Sequence, residues 1–122
     1  MTTRDFHLGD ILSVTTGRLV SPRHMEGVYD ILNFMTGNNL FTHQLPRAGR
    51  EMAPRLLAQH PDLREVTGDD VTPENHAEWL ERQVAKYGET RPVRPEHQFH
   101  EIRDAVKEAQ DAVGADRVVV FR

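Results

Sequence analysis

Residues 21–37 read SPRHMEGVYDILNFMTG, and the fold class turns on them. Ser21 offers an oxygen to an orphan N–H and Pro22 suits a first helical position, where no donor is missed. Met25, Val28, Leu32 and Met35 then recur at steps of three and four, while Tyr29, Ile31 and Phe34 widen the apolar arc over most of the surface. The spacing predicts a central core helix to about Thr36, with Gly37 as its left-handed stop. A helix so widely apolar must be covered by the rest of the chain.

Upstream, Ile11 to Thr15 is a short apolar, β-branched run, followed by Thr16-Gly17 and by Arg18-Leu19-Val20. This reads as a β-hairpin. Downstream, Asn38-Asn39 marks a turn, and Leu40 to Leu45 alternates so that Phe41, His43 and Leu45 share one side of a strand ended by Pro46. Pro54 does not suit a helix interior, so a short helix is expected from Pro54 to His60, closed by Pro61. Thr67-Gly68-Asp69-Asp70 reads as an exposed loop. Thr72-Pro73-Glu74-Asn75 opens a helix with an inner stripe of Ala77, Leu80, Val84 and Tyr87 and a stop at Gly88. Thr90 to Pro95 reads as an extended connector. Phe99, Ile102, Val106, Ala109 and Val113 mark a last helix ended by Gly114, and Val118 to Phe121 has the length and composition of a strand inside a sheet. The pattern implies an α+β fold: a single domain over residues 1–122, with a small mixed sheet covered by three to four helices.

A chain of 122 residues with 38% hydrophobic content fits one domain with a core that needs no disulfide or metal staple. Fifteen Lys and Arg against nineteen Asp and Glu give a net charge of -4, which argues against a general duplex nucleic-acid surface. The balance is uneven. Residues 1–60 hold six arginines against five acids, so the acidic excess lies in the second half. The absence of cysteine removes disulfides, thiol nucleophiles and thiolate metal sites, and suggests a reducing, cytoplasmic setting. Neither a signal-type apolar region nor a membrane-length run is present, so a soluble, unprocessed protein is expected.

The stretch from Gly9 to Arg47 carries VTTGRLVSPR, GVYDILNFMTG and LFTHQLPR in that order. It resembles a family of small uncharacterised phage and prophage proteins that share VTTGxLxSPR, GVYDILNxMTG and LFTHQLPR. The resemblance covers residues 1–61; residues 62–122 form a helical segment with a C-terminal strand outside it. It implies a phage or prophage origin and a compact folded domain. It brings no established activity and no catalytic residues.

The residues themselves suggest one pocket. Arg18, Arg23, Arg47 and Arg50 are planar donor forks suited to phosphate or carboxylate, and Thr15, Thr16, Ser21, Thr36, Thr42 and Gln44 add neutral hydrogen-bonding groups, a mixture that could line an anion pocket. If the strand from Leu40 lay beside the hairpin, His43 would project into it with Arg23 or Arg47 near its rim, and Arg23, Thr42, His43, Gln44 and Arg47 would form the ligand-binding set. The plainer reading is a cap at Ser21, surface arginines, and a His43 that belongs to the core beside Phe41 and Leu45. No triad motif accompanies His43. On a helix, His97, His100 and Asp104 would share a face with Glu101, a weak candidate metal set, though ordinary helix ion pairs explain the spacing as well. Acidic helix faces in the second half could meet a basic partner. Trp79 flanks the inner stripe at Leu80 and, if exposed, would anchor an interface.

No cofactor is implied. The expectation is a non-enzymatic phage-associated binding protein, an anti-defence inhibitor or regulator acting on a host or viral macromolecule. The alternative is a small nucleotide- or phosphate-binding protein or enzyme built on Arg23, His43 and Arg47. A broad apolar helix and an edge strand are also compatible with a homodimer.

Overall fold

The run Ile11 to Val14 is helical. In the computed structural model, which describes residues 2–101, the chain forms β1 (Arg4–His7), α1 (Leu8–Thr16), α2 (Met25–Thr36), α3 (Leu45–Gln59), α4 (His76–Tyr87) and β2 (Thr90–Val93). Short 3-10 turns lie at Thr42–Gln44, Pro61–Glu65 and His97–Phe99. The fold is α+β. The helix and strand expected beyond Phe99, at 102–114 and 118–121, lie outside the described residues.

The expected hairpin at 11–20 is corrected to α1 and a loop, for a physical reason. Every residue of α1 from Leu8 to Val14 is buried, so its sequence lacks the polar face that would betray a helix, and a short apolar run reads equally well as a strand. Gly17, read as a hairpin turn, is the left-handed helix cap at φ 75°. At the other end His7 Nδ1 accepts the Gly9 N–H at 2.9 Å.

The expected strand at Leu40–Leu45 is corrected as well. Thr42–Gln44 is a 3-10 turn held where the Phe41 N–H donates to Gln44 Oε1 at 2.9 Å. Pro46 ends no strand; it sits in the first turn of α3, where its missing donor costs nothing. Helix α3 passes straight through Pro54 instead of starting there. Leu45, Ala48, Met52 and Leu56 are its buried stripe, and Pro54 lies on the exposed side. Burial of that stripe against α1 and α2 outweighs the loss of one helical hydrogen bond.

Helices α2 and α4 end at Gly37 and Gly88, as their sequences indicate. The start of α2 differs: the helix begins at Met25, and Ser21 to His24 close a turn through His24 N–H to Ser21 O at 2.9 Å. Trp79 is buried in the core, and its indole N–H donates to Asp70 Oδ1 at 2.9 Å, tying down the 67–70 loop.

Among the described residues the sheet is a two-stranded antiparallel ribbon, β1 with β2, in which Arg4 faces Val93 and His7 faces Thr90. The Thr90–Pro95 connector thus supplies a strand, and Pro92 is tolerated because a two-stranded ribbon is all edge. Phe6 and Val93 bury their side chains against the helices. Arg91 clamps this ribbon to the turn after α3, bonding Asp62 through both terminal nitrogens at 2.8 and 2.7 Å. The bidentate pair raises the Arg91 pKa and lowers that of Asp62. No helix among the described residues is long and apolar enough to cross a membrane.

Candidate functional site

Two ionic networks and one groove divide the surfaces around α1, α2 and α3. The first network is centred on Asp10, which is fully buried in α1. Its carboxylate accepts from Ser21 Oγ at 2.5 Å and from Arg23 Nη2 at 2.5 Å. Arg23 also reaches Asp30 on α2 at 3.0 Å, and Asp30 in turn receives Arg4 of β1. The hydrogen bond to Asp10 is the main reason the Arg23 pKa is raised; burial works against Asp30, but hydrogen bonds from Arg4 and Arg23 hold its pKa below 3.8. Ser21 Oγ additionally accepts the Arg23 N–H at 3.1 Å, so it orders the turn and is not a helix cap. Gly27 admits this cluster: a Cβ there would lie 2.2 Å from Ser21 Oγ and 2.3 Å from Asp10 Oδ1. The GD, SPR and GVYD portions of the sequence therefore meet at one corner that locks α1, the 20–24 loop and α2 together.

The second network runs along α3. Arg47 pairs with Glu51 at 2.7 Å. Glu51 also takes His100 Nδ1 at 2.6 Å and the Glu101 N–H at 3.0 Å. The buried Glu96 accepts from Gln59 at 2.7 Å, and the Arg55 guanidinium stacks 3.9 Å over the Phe99 ring. These contacts fasten residues 94–101 to the helix.

The five residues expected to share a pocket are thus distributed. Arg23 belongs to the Asp10 corner, Arg47 to the Glu51 network, and the buried Gln44 to its own turn. Thr42 hydrogen-bonds Tyr29 through their hydroxyls, and His43 stacks on the exposed Phe41 ring, centroids 6.1 Å apart. His97 and His100 also part company: His97 Nε2 lies 3.3 Å from Phe34 O and His100 binds Glu51. Asp104 lies outside the described residues. No group of three metal-ligating side chains occurs among the described residues.

What the sequence did not reveal is a groove of about 590 Å³ between the C-terminal end of α1, the start of α2 and the first half of α3. Val14, Val28, Leu32, Leu45 and Ala53 give it an apolar lining, and Met25, partly exposed, stands at its edge. Of the groups expected around an anion pocket, Thr15, Thr16, Thr42 and Arg50 line the groove, Thr42 being the one from the five-residue ligand set.

Three features of this groove engage nothing further among the described residues. Gly49 lies in the interior of α3, and a Cβ there would meet nothing within 4 Å. Thr15 Oγ1 is buried with no hydrogen-bond partner among the described residues, whereas its neighbour Thr16 bonds back to Leu12 O at 2.6 Å. Arg50 is exposed at the groove and pairs with no described carboxylate. A missing polar face hid α1 and two helix-unfavourable residues hid α3; with both helices assigned, Gly49 in mid-helix would have been the sequence signal.

A second cleft, about 490 Å³, lies where the 20–24 loop meets α4 and is lined by His7, His24, His76, Glu81 and Glu89. His24 adopts φ 56° and ψ -136°, a region otherwise occupied by glycine, and carries backbone strain there.

Fold and groove together define a small α+β domain with an apolar groove between three helices. The profile of a family described as a domain of unknown function, DUF7736, matches residues 6–66, half of the chain, and the protein belongs to that family. The match takes in α1, α2, α3, the Asp10 corner apart from Arg4, and every residue lining the groove. Comparison with curated proteins and with solved structures returned no match.

Proposed function

We propose that this protein is a non-enzymatic binding module of phage or prophage origin that holds a segment of a host or viral protein in the α1–α2–α3 groove. Gly49 carries the reading. Glycine inside a helix costs about 1 kcal/mol relative to alanine, and here no neighbouring atom among the described residues requires it. A group approaching the α3 backbone from outside the chain would require it. The groove volume lies within the range of roughly 300–1,000 Å³ common for binding pockets, and its lining is mostly apolar.

A non-catalytic role is favoured by the pairing of the reactive-looking groups. Arg23, Arg47 and His100 each engage a carboxylate of the chain itself. The phage or prophage origin rests on the order of the VTTGRLVSPR, GVYDILNFMTG and LFTHQLPR motifs. A cysteine-free, mildly acidic chain suits the cytoplasm of the host cell.

A photo-crosslinking amino acid in place of Met25, whose exposed side chain already stands at the groove edge, tests the reading, with the exposed Arg82 of α4 as control site. In the native cells, position 25 should give a discrete protein adduct and position 82 should not. Equal adducts from both sites, or none from position 25, would overturn it.

A further inference from the structure

We infer that the segment bound in the groove is acidic: its apolar side chains cover the groove floor and an Asp or Glu pairs with Arg50. This rests on the groove being the docking surface, and adds the chemistry of the partner.

The charge distribution points to an acid. Among the described residues Arg50 is the one charged side chain lining the groove, although the chain as a whole carries -4. Arg4 and Arg23 meet Asp30, Arg47 meets Glu51, and Arg91 meets Asp62. Arg50 meets no described carboxylate, as is true of the exposed Arg18 and Arg64, and of these three it is the one that lines the groove. The groove therefore carries this cation without a described counter-ion. A basic segment would be repelled, and a purely apolar one would leave the guanidinium unmatched beside a desolvated surface.

Two further groups favour the same chemistry. Leu45 and Pro46 bring the first turn of α3, a helix of fifteen residues, to the groove, and the N-terminal end of a helix favours negative charge. Thr15 Oγ1, buried without a described partner, can donate a hydrogen bond to a carboxylate or carbonyl oxygen. Gly49 lets the segment's backbone or a bulky apolar side chain come close to α3 between Leu45 and Ala53. This is the apolar-anchor mode of peptide recognition with one charge fixing the orientation.

Selection from a random peptide library displayed on phage tests the proposal whatever the identity of the partner. Wild type is compared with Gly49→Leu, which fills the groove, and with Arg50→Glu. The expected result is a set of peptides that are lost on Gly49→Leu and carry Asp or Glu next to apolar residues; on Arg50→Glu the preference should turn to Lys or Arg. A selected acidic peptide should bind Arg50→Gln about fivefold more weakly. Peptides sensitive to Gly49→Leu but without an acidic bias would overturn this inference and leave the docking reading standing. Selection that is indifferent to Gly49→Leu would overturn both. A wild-type chain that sediments as a dimer, with Gly49→Leu a monomer, would assign the groove to a second copy of the chain and also overturn it.

Discussion

Gly27 and Gly49 both sit inside helices, one in α2 and one in α3, and their surroundings are opposite. Gly27 is packed so closely that Asp10 and Ser21 occupy the space of its Cβ; over Gly49 there is nothing within 4 Å. The first glycine exists for the fold, because the buried Asp10 carboxylate needs that room to hold Ser21 and Arg23. The second weakens its helix with no return among the described residues. The Asp10 corner and the groove are built from the same stretch of sequence and share α1 and α2, so the contrast separates residues packed into the fold from residues that the described fold leaves uncovered.

The corner should break hardest. Asp10→Ala removes a fully buried carboxylate together with its bonds to Ser21 and Arg23, and should cost about 3 kcal/mol. That figure takes the low end of the range for broken buried pairs, because Arg23 is itself partly exposed and can be rehydrated. Denaturant unfolding measures it, and a loss of a few tenths would show that the corner does not hold α1 to α2.

Gly27→Ala should follow at about 2 kcal/mol destabilising, from overpacking against the Asp10 cluster. Gly49→Ala should carry the opposite sign, stabilising by about 0.5 to 1 kcal/mol, since the alanine gains helix propensity and meets no obstacle. Equal signs for the two would erase the distinction between the regions.

The smallest effect concerns acid. Asp30 has a pKa held below its ordinary 3.8, so its contribution to stability is present above that value and disappears as pH falls through the lower, folded-state pKa. Asp62, held down by Arg91, acts in the same direction. Thermal melts should therefore decline on going below about pH 4, and Asp30→Asn should make that decline shallower while leaving the neutral-to-alkaline region flat. An unchanged acid slope in the variant would remove Asp30 from the account.

Legibility in the sequence followed how each helix meets water. Helices α2 and α4 were readable because they combine an apolar stripe at helical spacing with a glycine stop, at Gly37 and Gly88. Helix α1 was not, since its residues from Leu8 to Val14 are all buried and no polar face marks the period. Helix α3 was obscured by Gly49 and Pro54, two residues that disfavour a helix locally; the buried stripe from Leu45 to Leu56 decides the matter only once α1 and α2 are there to cover it. Strand β1 has a single buried residue, Phe6, in four, too little to show a period of two.

The candidate site inherited these gaps. With 40–45 read as a strand and 11–20 as a hairpin, Arg23, His43 and Arg47 were drawn into one pocket. In the folded chain Arg23 and Arg47 complete ion pairs on different helices. Thr42 is the member of that set that lines the groove, together with Thr15, Thr16 and Arg50 from the wider group of hydrogen-bonding and basic residues. Val14, Val28, Gly49 and Arg50 come together only through the packing of three helices, which sequence spacing does not contain.

The most direct measurement of the central claim is a paired one on Gly49→Leu: its unfolding midpoint in denaturant, and its recovery of the protein partner crosslinked from the groove, with the photo-crosslinking residue in place of Met25 at the groove edge. The account predicts a midpoint equal to or above that of the wild type together with loss of the partner. A lowered midpoint would show that the fold itself depends on Gly49, and undiminished recovery would show that the groove is not where the partner binds; either result would contradict the account.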